Sequence, residues 1–99
     1  MFGKLGDMKD MMGKLQEAQK ESKAMKQRLA QIELREENQG LSVMVNGNKE
    51  IKDIMISADL LSNGEELGNK LVLTINRALA KAQEVNDREM QSMATSMLK

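Results

Sequence analysis

Apolar positions in the first third of this 99-residue chain recur every three and four residues. Met8, Met11, Leu15, Ala18, Ser22, Met25, Leu29 and Ile32 form a heptad seam that predicts a long helix over about 7–31. A seam this narrow needs a partner helix, and its methionines suit adaptable packing. The period then changes to two. Ile32 and Leu34 alternate with Glu33 and Arg35, predicting a strand over 32–38, which Gly40 breaks. Leu41, Val43 and Val45 alternate with Ser42, Met44 and Asn46, predicting a second strand over 41–46. Asn46-Gly47 is the strongest hairpin signal, since both residues tolerate positive φ. A third strand is expected over 50–57, with Ile54 and Ile56 on one face and Ile51 and Met55 on the other. Links this short make the three strands an antiparallel meander.

Helical spacing returns at the end of the chain. Asn63-Gly64-Glu65-Glu66 opens a second helix, expected over 64–95, with Asn63 as N-cap and Glu66 at the capping-box position. Leu67, Leu71, Val72, Ile75, Ala78, Leu79, Ala82 and Val85 give it a broad apolar face, which thins past Asn86 to Met90, Met93 and Met97. The expected fold is α+β: one α-β-β-β-α domain over 1–99, its meander packed under the early part of the second helix.

The polar positions are patterned as well. Lys9, Gln16, Lys20, Lys23 and Gln27 follow steps of seven, four, three and four, and Lys70, Arg77, Lys81 and Arg88 steps of seven, four and seven. Each set returns to one helix face. A straight row of cations can meet a regular polyanion such as duplex DNA. It also resembles an ordinary solvated face, and Glu84, four residues before Arg88, is a bland partner for it. The net charge of zero hides this polarity: residues 1–31 carry +3, residues 32–59 carry −3 and residues 60–99 are neutral. A neutral sum argues against indiscriminate polyanion binding and leaves room for a local basic surface.

Composition narrows the chemistry. The chain has no His, Cys, Trp, Tyr or Pro, and its one aromatic is Phe2. Without Cys there is no disulfide framework, which suits the cytoplasm. Without His or Cys the common zinc and transition-metal sites are unavailable, and no calcium-loop pattern occurs. No cofactor or small-molecule substrate is expected. The start carries Lys4, Asp7, Lys9 and Asp10 with no apolar run after it, so neither a signal peptide nor a membrane span is expected. Nucleophilic catalysis has no histidine to activate a hydroxyl. Glu36 and Glu37 would point to opposite faces of a strand, so an enzyme is not expected. One aromatic cannot build a stacking platform, so any contact with nucleic acid would be to the backbone and not to bases.

The chain resembles the YbaB/EbfC family of bacterial nucleoid-associated proteins. The resemblance rests on Met1-Phe2-Gly3-Lys4, on the Met/Gln/Lys-rich first helix and on Gly40-Leu41-Ser42-Val43-Met44-Val45-Asn46-Gly47. It continues through Ile54-Met55-Ile56-Ser57-Ala58-Asp59-Leu60-Leu61 and Ile75-Asn76-Arg77-Ala78. Ala58-Asp59 stands where the family often has Pro, before the Leu60-Leu61 pair. The resemblance implies an intertwined homodimer with protruding helical arms. It also implies duplex DNA binding of low sequence stringency in the nucleoid, through the helices at both ends. Lys9, Lys20, Lys23, Lys70, Arg77, Lys81 and Arg88 are then the expected DNA-binding residues. The competing expectation is a homodimeric adaptor that clasps another protein with Met8, Met11, Met12, Met90, Met93 and Met97 and binds no nucleic acid.

Overall fold

A computed structural model describes the backbone of residues 2–98 and the side chains of residues 8–96 and 98. The order of elements is α1 (Phe2–Gln31), β1 (Glu33–Asn38), β2 (Leu41–Asn46), β3 (Ile51–Ile56), α2 (Ala58–Leu61) and α3 (Gly64–Met97). The molecule measures 74 × 19 × 17 Å, so it is a rod and not a ball.

α1 contains no Pro and no β-branched residue from Phe2 to Gln31, and Lys, Gln, Met, Leu and Ala all propagate helix well. It begins before the expected Asp7. Its end is held by the β2–β3 hairpin: Gly47 N–H donates to the Leu29 carbonyl at 2.9 Å, and Asn48 Nδ2 donates to the Lys26 carbonyl at 2.9 Å. Carbonyls that a helix end leaves without partners are thus capped from a segment some twenty residues away in sequence.

The sheet has the order β1-β2-β3 and is antiparallel throughout. Val43 faces Glu36 on one side and Ile54 on the other, and Leu41 faces Asn38 and Ile56. This face lies under α3. Leu41, Val43 and Val45 are buried together with Ala78 and Ala82, whose small side chains let the helix approach the sheet. Leu34, Ile56, Leu67, Leu71, Ile75 and Leu79 pack around them. α2 was not expected as an element. It brings Leu60 into the end of this core, and Ser57 N–H, just before it, donates to the Gly40 carbonyl at 2.8 Å.

The two turns exchange their expected chemistry. Gln39 and Gly40 both have positive φ, 25° and 87°, and form the two-residue hairpin loop between β1 and β2. In the other hairpin the positive φ falls on Lys49, at 65°, and not on Asn46 or Gly47. Asn46 acts through its buried side chain, whose Oδ1 accepts from the N–H groups of Asn48 (3.0 Å) and Glu50 (3.1 Å). Gly47 is small for a packing reason: a Cβ there would lie 2.8 Å from Leu29 Cδ2 and 2.9 Å from the Leu29 carbonyl oxygen.

Three further expectations are corrected. A register shift between Met44 and Val45 sets Ile51 opposite Val45, so Ile51 shares the face of Ile54 and Ile56 and not that of Met55. Val72, expected on the apolar face of α3, is 64% exposed, while Thr74 is fully buried and its Oγ1 accepts from Asn38 Nδ2 at 3.4 Å. Glu66 does reach back toward Asn63, but to its side-chain Nδ2 (3.2 Å). The backbone N–H of Asn63 donates to Leu60 O, and Asn63 Oδ1 caps Glu66 N–H as expected.

Candidate nucleic-acid interface

The α1 seam is covered only at its inner end. Leu29 is buried and Met25 half-buried, whereas Met8, Met11 and Leu15 are about 60% exposed. Arg28 Nη2 meets Glu89 Oε2 at 3.2 Å, tying the last turn of α1 to α3. The outer part of α1 therefore has no cover from its own chain among the described residues. Lys9, Lys20 and Lys23, with Gln16 and Gln27, lie opposite this seam by helical spacing, and all five are exposed. None of the three lysines makes an ion pair with a described residue. Lys9 to Lys23 spans about 21 Å along the helix, a length over which one strand of duplex DNA presents roughly six phosphates.

The second row divides in two. Lys70 is largely covered: its Nζ lies 3.3 Å from Glu66 Oε1 and donates to the Gln39 carbonyl at 3.2 Å. Lys81 Nζ lies 2.5 Å from Glu36 Oε2 and donates to the Arg35 carbonyl at 3.2 Å. Glu36 Oε2 is buried and takes no hydrogen bond of good geometry, so the ammonium beside it is what offsets its desolvation. Lys81 straps α3 to the polar edge strand β1, and Lys70 ties it to the β1–β2 turn. Arg77 and Arg88 are exposed and enter no ion pair with a described residue, and the expected Glu84–Arg88 pair is not formed. Five of the seven candidate cations thus make no ion pair with a described residue.

No local signal distinguishes Lys81 from Arg77, because Glu36 lies 45 residues earlier and reaches Lys81 only through the packing of α3 on the sheet. A concavity of about 440 Å³ lies elsewhere, lined by Glu37, Gln39, Gly40, Leu41, Ser42, Met55, Ile56 and Ser57. It has one acid and no base, which suits neither phosphate nor the rest of a DNA backbone. Among the described residues no cluster of acids could hold a metal ion, and no helix is long and apolar enough to cross a membrane.

The chain is similar to several known proteins. A nucleoid-associated protein of Flavobacterium johnsoniae is 37% identical over 90 residues, covering 89% of this chain and 85% of its own. One of Nostoc punctiforme is 31% identical over 99 residues, covering 98% and 86%. The crystal structure of an uncharacterized protein from Helicobacter pylori superposes with a TM-score of 0.66 at 21% identity, covering 80% of this chain and 96% of that one, and so shares the fold. The sequence matches the YbaB/EbfC DNA-binding family over residues 4–97, and this chain, with its helix–meander–helix architecture, belongs to that family.

Proposed function

We propose that the protein is a homodimeric nucleoid-associated protein of the cytoplasm that grips duplex DNA by its phosphates, with little regard for sequence. The observation that carries this reading is the exposed row Lys9, Lys20 and Lys23 on α1, unpaired among the described residues and set opposite the apolar seam. Arg77 and Arg88 extend the cationic surface onto α3. Lys70 and Lys81 contribute less, because binding phosphate would cost them their contacts to Glu66 and Glu36. Cations on helix faces act as point charges on the backbone, and the chain lacks the aromatic platforms that would read or stack bases. Acid–base or nucleophilic chemistry has no place in this reading.

The test is a gel-shift titration against unrelated duplexes at two salt concentrations. Similar affinities that fall steeply with salt are expected. The adaptor reading draws on the exposed Met8, Met11, Met12 and Met90. An apolar clasp would respond little to salt, so the absence of any salt-sensitive DNA binding would favour it.

A further inference from the structure

The chain has ten methionines and neither cysteine nor histidine, so its soft donor atoms are all thioethers. Most of those the structure describes are dispersed or engaged. Met25 is half-buried at the inner end of the α1 seam, and Met93 is half-buried on α3. The Met44 sulfur accepts from Arg35 Nη2 at 3.9 Å, and Met55 stands alone on β3. Met8, Met11 and Met12 differ. They fall within five consecutive residues of α1 and are 63%, 63% and 61% exposed. Among the described residues, no other helix face carries three exposed thioethers this close together. Packing alone does not account for the set. The seam's spacing needs one apolar residue at 11 or 12, and the chain places a methionine at both.

We infer that Met8, Met11 and Met12 form a binding site for a soft monovalent metal ion of the Cu(I) class. Met8 precedes the other two by three and four residues, a spacing at which Cβ atoms lie about 5–6 Å apart on a helix. Three rotatable bonds in each side chain let the sulfurs swing inward, so the three thioethers can meet at one ion. Softness selects that ion. Thioethers favour Cu(I), whereas magnesium, calcium and manganese want carboxylate, carbonyl or water oxygen. Charge permits it. The charged residues of this turn, Lys9 and Asp10, point roughly 100° or more away from the middle of the triad. Its face therefore holds neither an ammonium to repel a cation nor a carboxylate to recruit a hard one. A thioether has no proton to lose, so uptake here displaces none, unlike binding by thiol, imidazole or carboxylic acid.

Silver(I) is the probe, since it is soft, monovalent and stable in air. Silver nitrate is titrated into the wild-type protein in chloride-free buffer, and uptake is read by calorimetry and native mass spectrometry. One tightly held ion per protomer is expected, with the same affinity between about pH 5 and pH 8, the range in which a histidine would have titrated. The triple variant Met8→Leu, Met11→Leu and Met12→Leu keeps the apolar bulk and the helix. It is expected to lose at least about tenfold in silver affinity, with its circular dichroism unchanged. Met55→Leu and Met90→Leu, which lie outside the triad, are expected to leave the affinity as it was. Three results would each overturn the site. One is no uptake by the wild type, as when a second copy covers this face. Another is equal uptake by the triple variant. The third is uptake that disappears at the lower pH, which would place the ion on an amine nitrogen.

Discussion

Gly47 donates its backbone N–H to the Leu29 carbonyl at 2.9 Å, and this contact joins the root of the long first helix to the β2–β3 hairpin. Leu29 is the innermost buried residue of the seam, and Gly47 is itself buried against it. The angle at which α1 leaves the body is set here, together with the Arg28–Glu89 pair.

A methyl group at Gly47 has nowhere to go, since a Cβ would come within 2.9 Å of a main-chain oxygen that cannot swing away. Gly47→Ala is expected to cost about 1–3 kcal/mol and to lower the melting temperature. Unchanged thermal unfolding would mean that the hairpin and α1 are not locked in this way.

The two ends of the seam have different fates on substitution. Leu29→Asp buries an unpaired charge and is expected to unfold the protomer. Leu15→Asp lies where the helix is 60% exposed, so the melting of an isolated protomer should hardly change. Any loss at Leu15→Asp is expected in self-association, read by sedimentation. Unfolding of both variants would show that the outer seam is covered within one chain.

Lys81 and Arg77 test the division of the second row. Lys81→Ala leaves the buried Glu36 oxygen without its ammonium and is expected to destabilise by about 1 kcal/mol. Arg77→Ala removes an exposed side chain and should stay within about 0.5 kcal/mol of wild type. In DNA binding the order reverses, with Arg77→Ala the more damaging. Denaturant unfolding and gel shift on the same two variants check both halves.

Charge reversal at Lys20 and Lys23 addresses the α1 row. The double Glu variant is expected to fold normally, because both positions are exposed. It should weaken binding to all duplexes alike and flatten the slope of log affinity against log salt by roughly 2 per protomer. Reversal at Lys49 and Lys52 should matter much less. Equal losses at the two pairs would indicate diffuse attraction, and no loss at either, with the dimer intact, would favour the adaptor reading.

Apart from the short α2, element order and type were legible in the sequence because their causes are local. A three-and-four spacing without β-branched residues makes α1, alternation makes the strands, and Asn63 with Glu66 starts α3. The face of each cationic row was legible for the same reason, since helical spacing fixes it. What each row touches was not. Glu36 and the carbonyls of Arg35 and Gln39 claim Lys81 and Lys70 only after α3 has been laid along β1. The register shift that turns Ile51 inward depends on the pairing of β2 with β3, which a single strand's alternation does not contain. Gly47 reads as turn chemistry in isolation and becomes a packing requirement only when Leu29 arrives from a helix that ended sixteen residues earlier. The sequence by itself determined the two long helices, the three strands and the helix face of each cationic row, because the period and the caps act between near neighbours. Tertiary structure decided which cations stay free, which apolar residues stay bare and where the arm is hinged, because each of those depends on groups from distant segments competing for the same few ångströms.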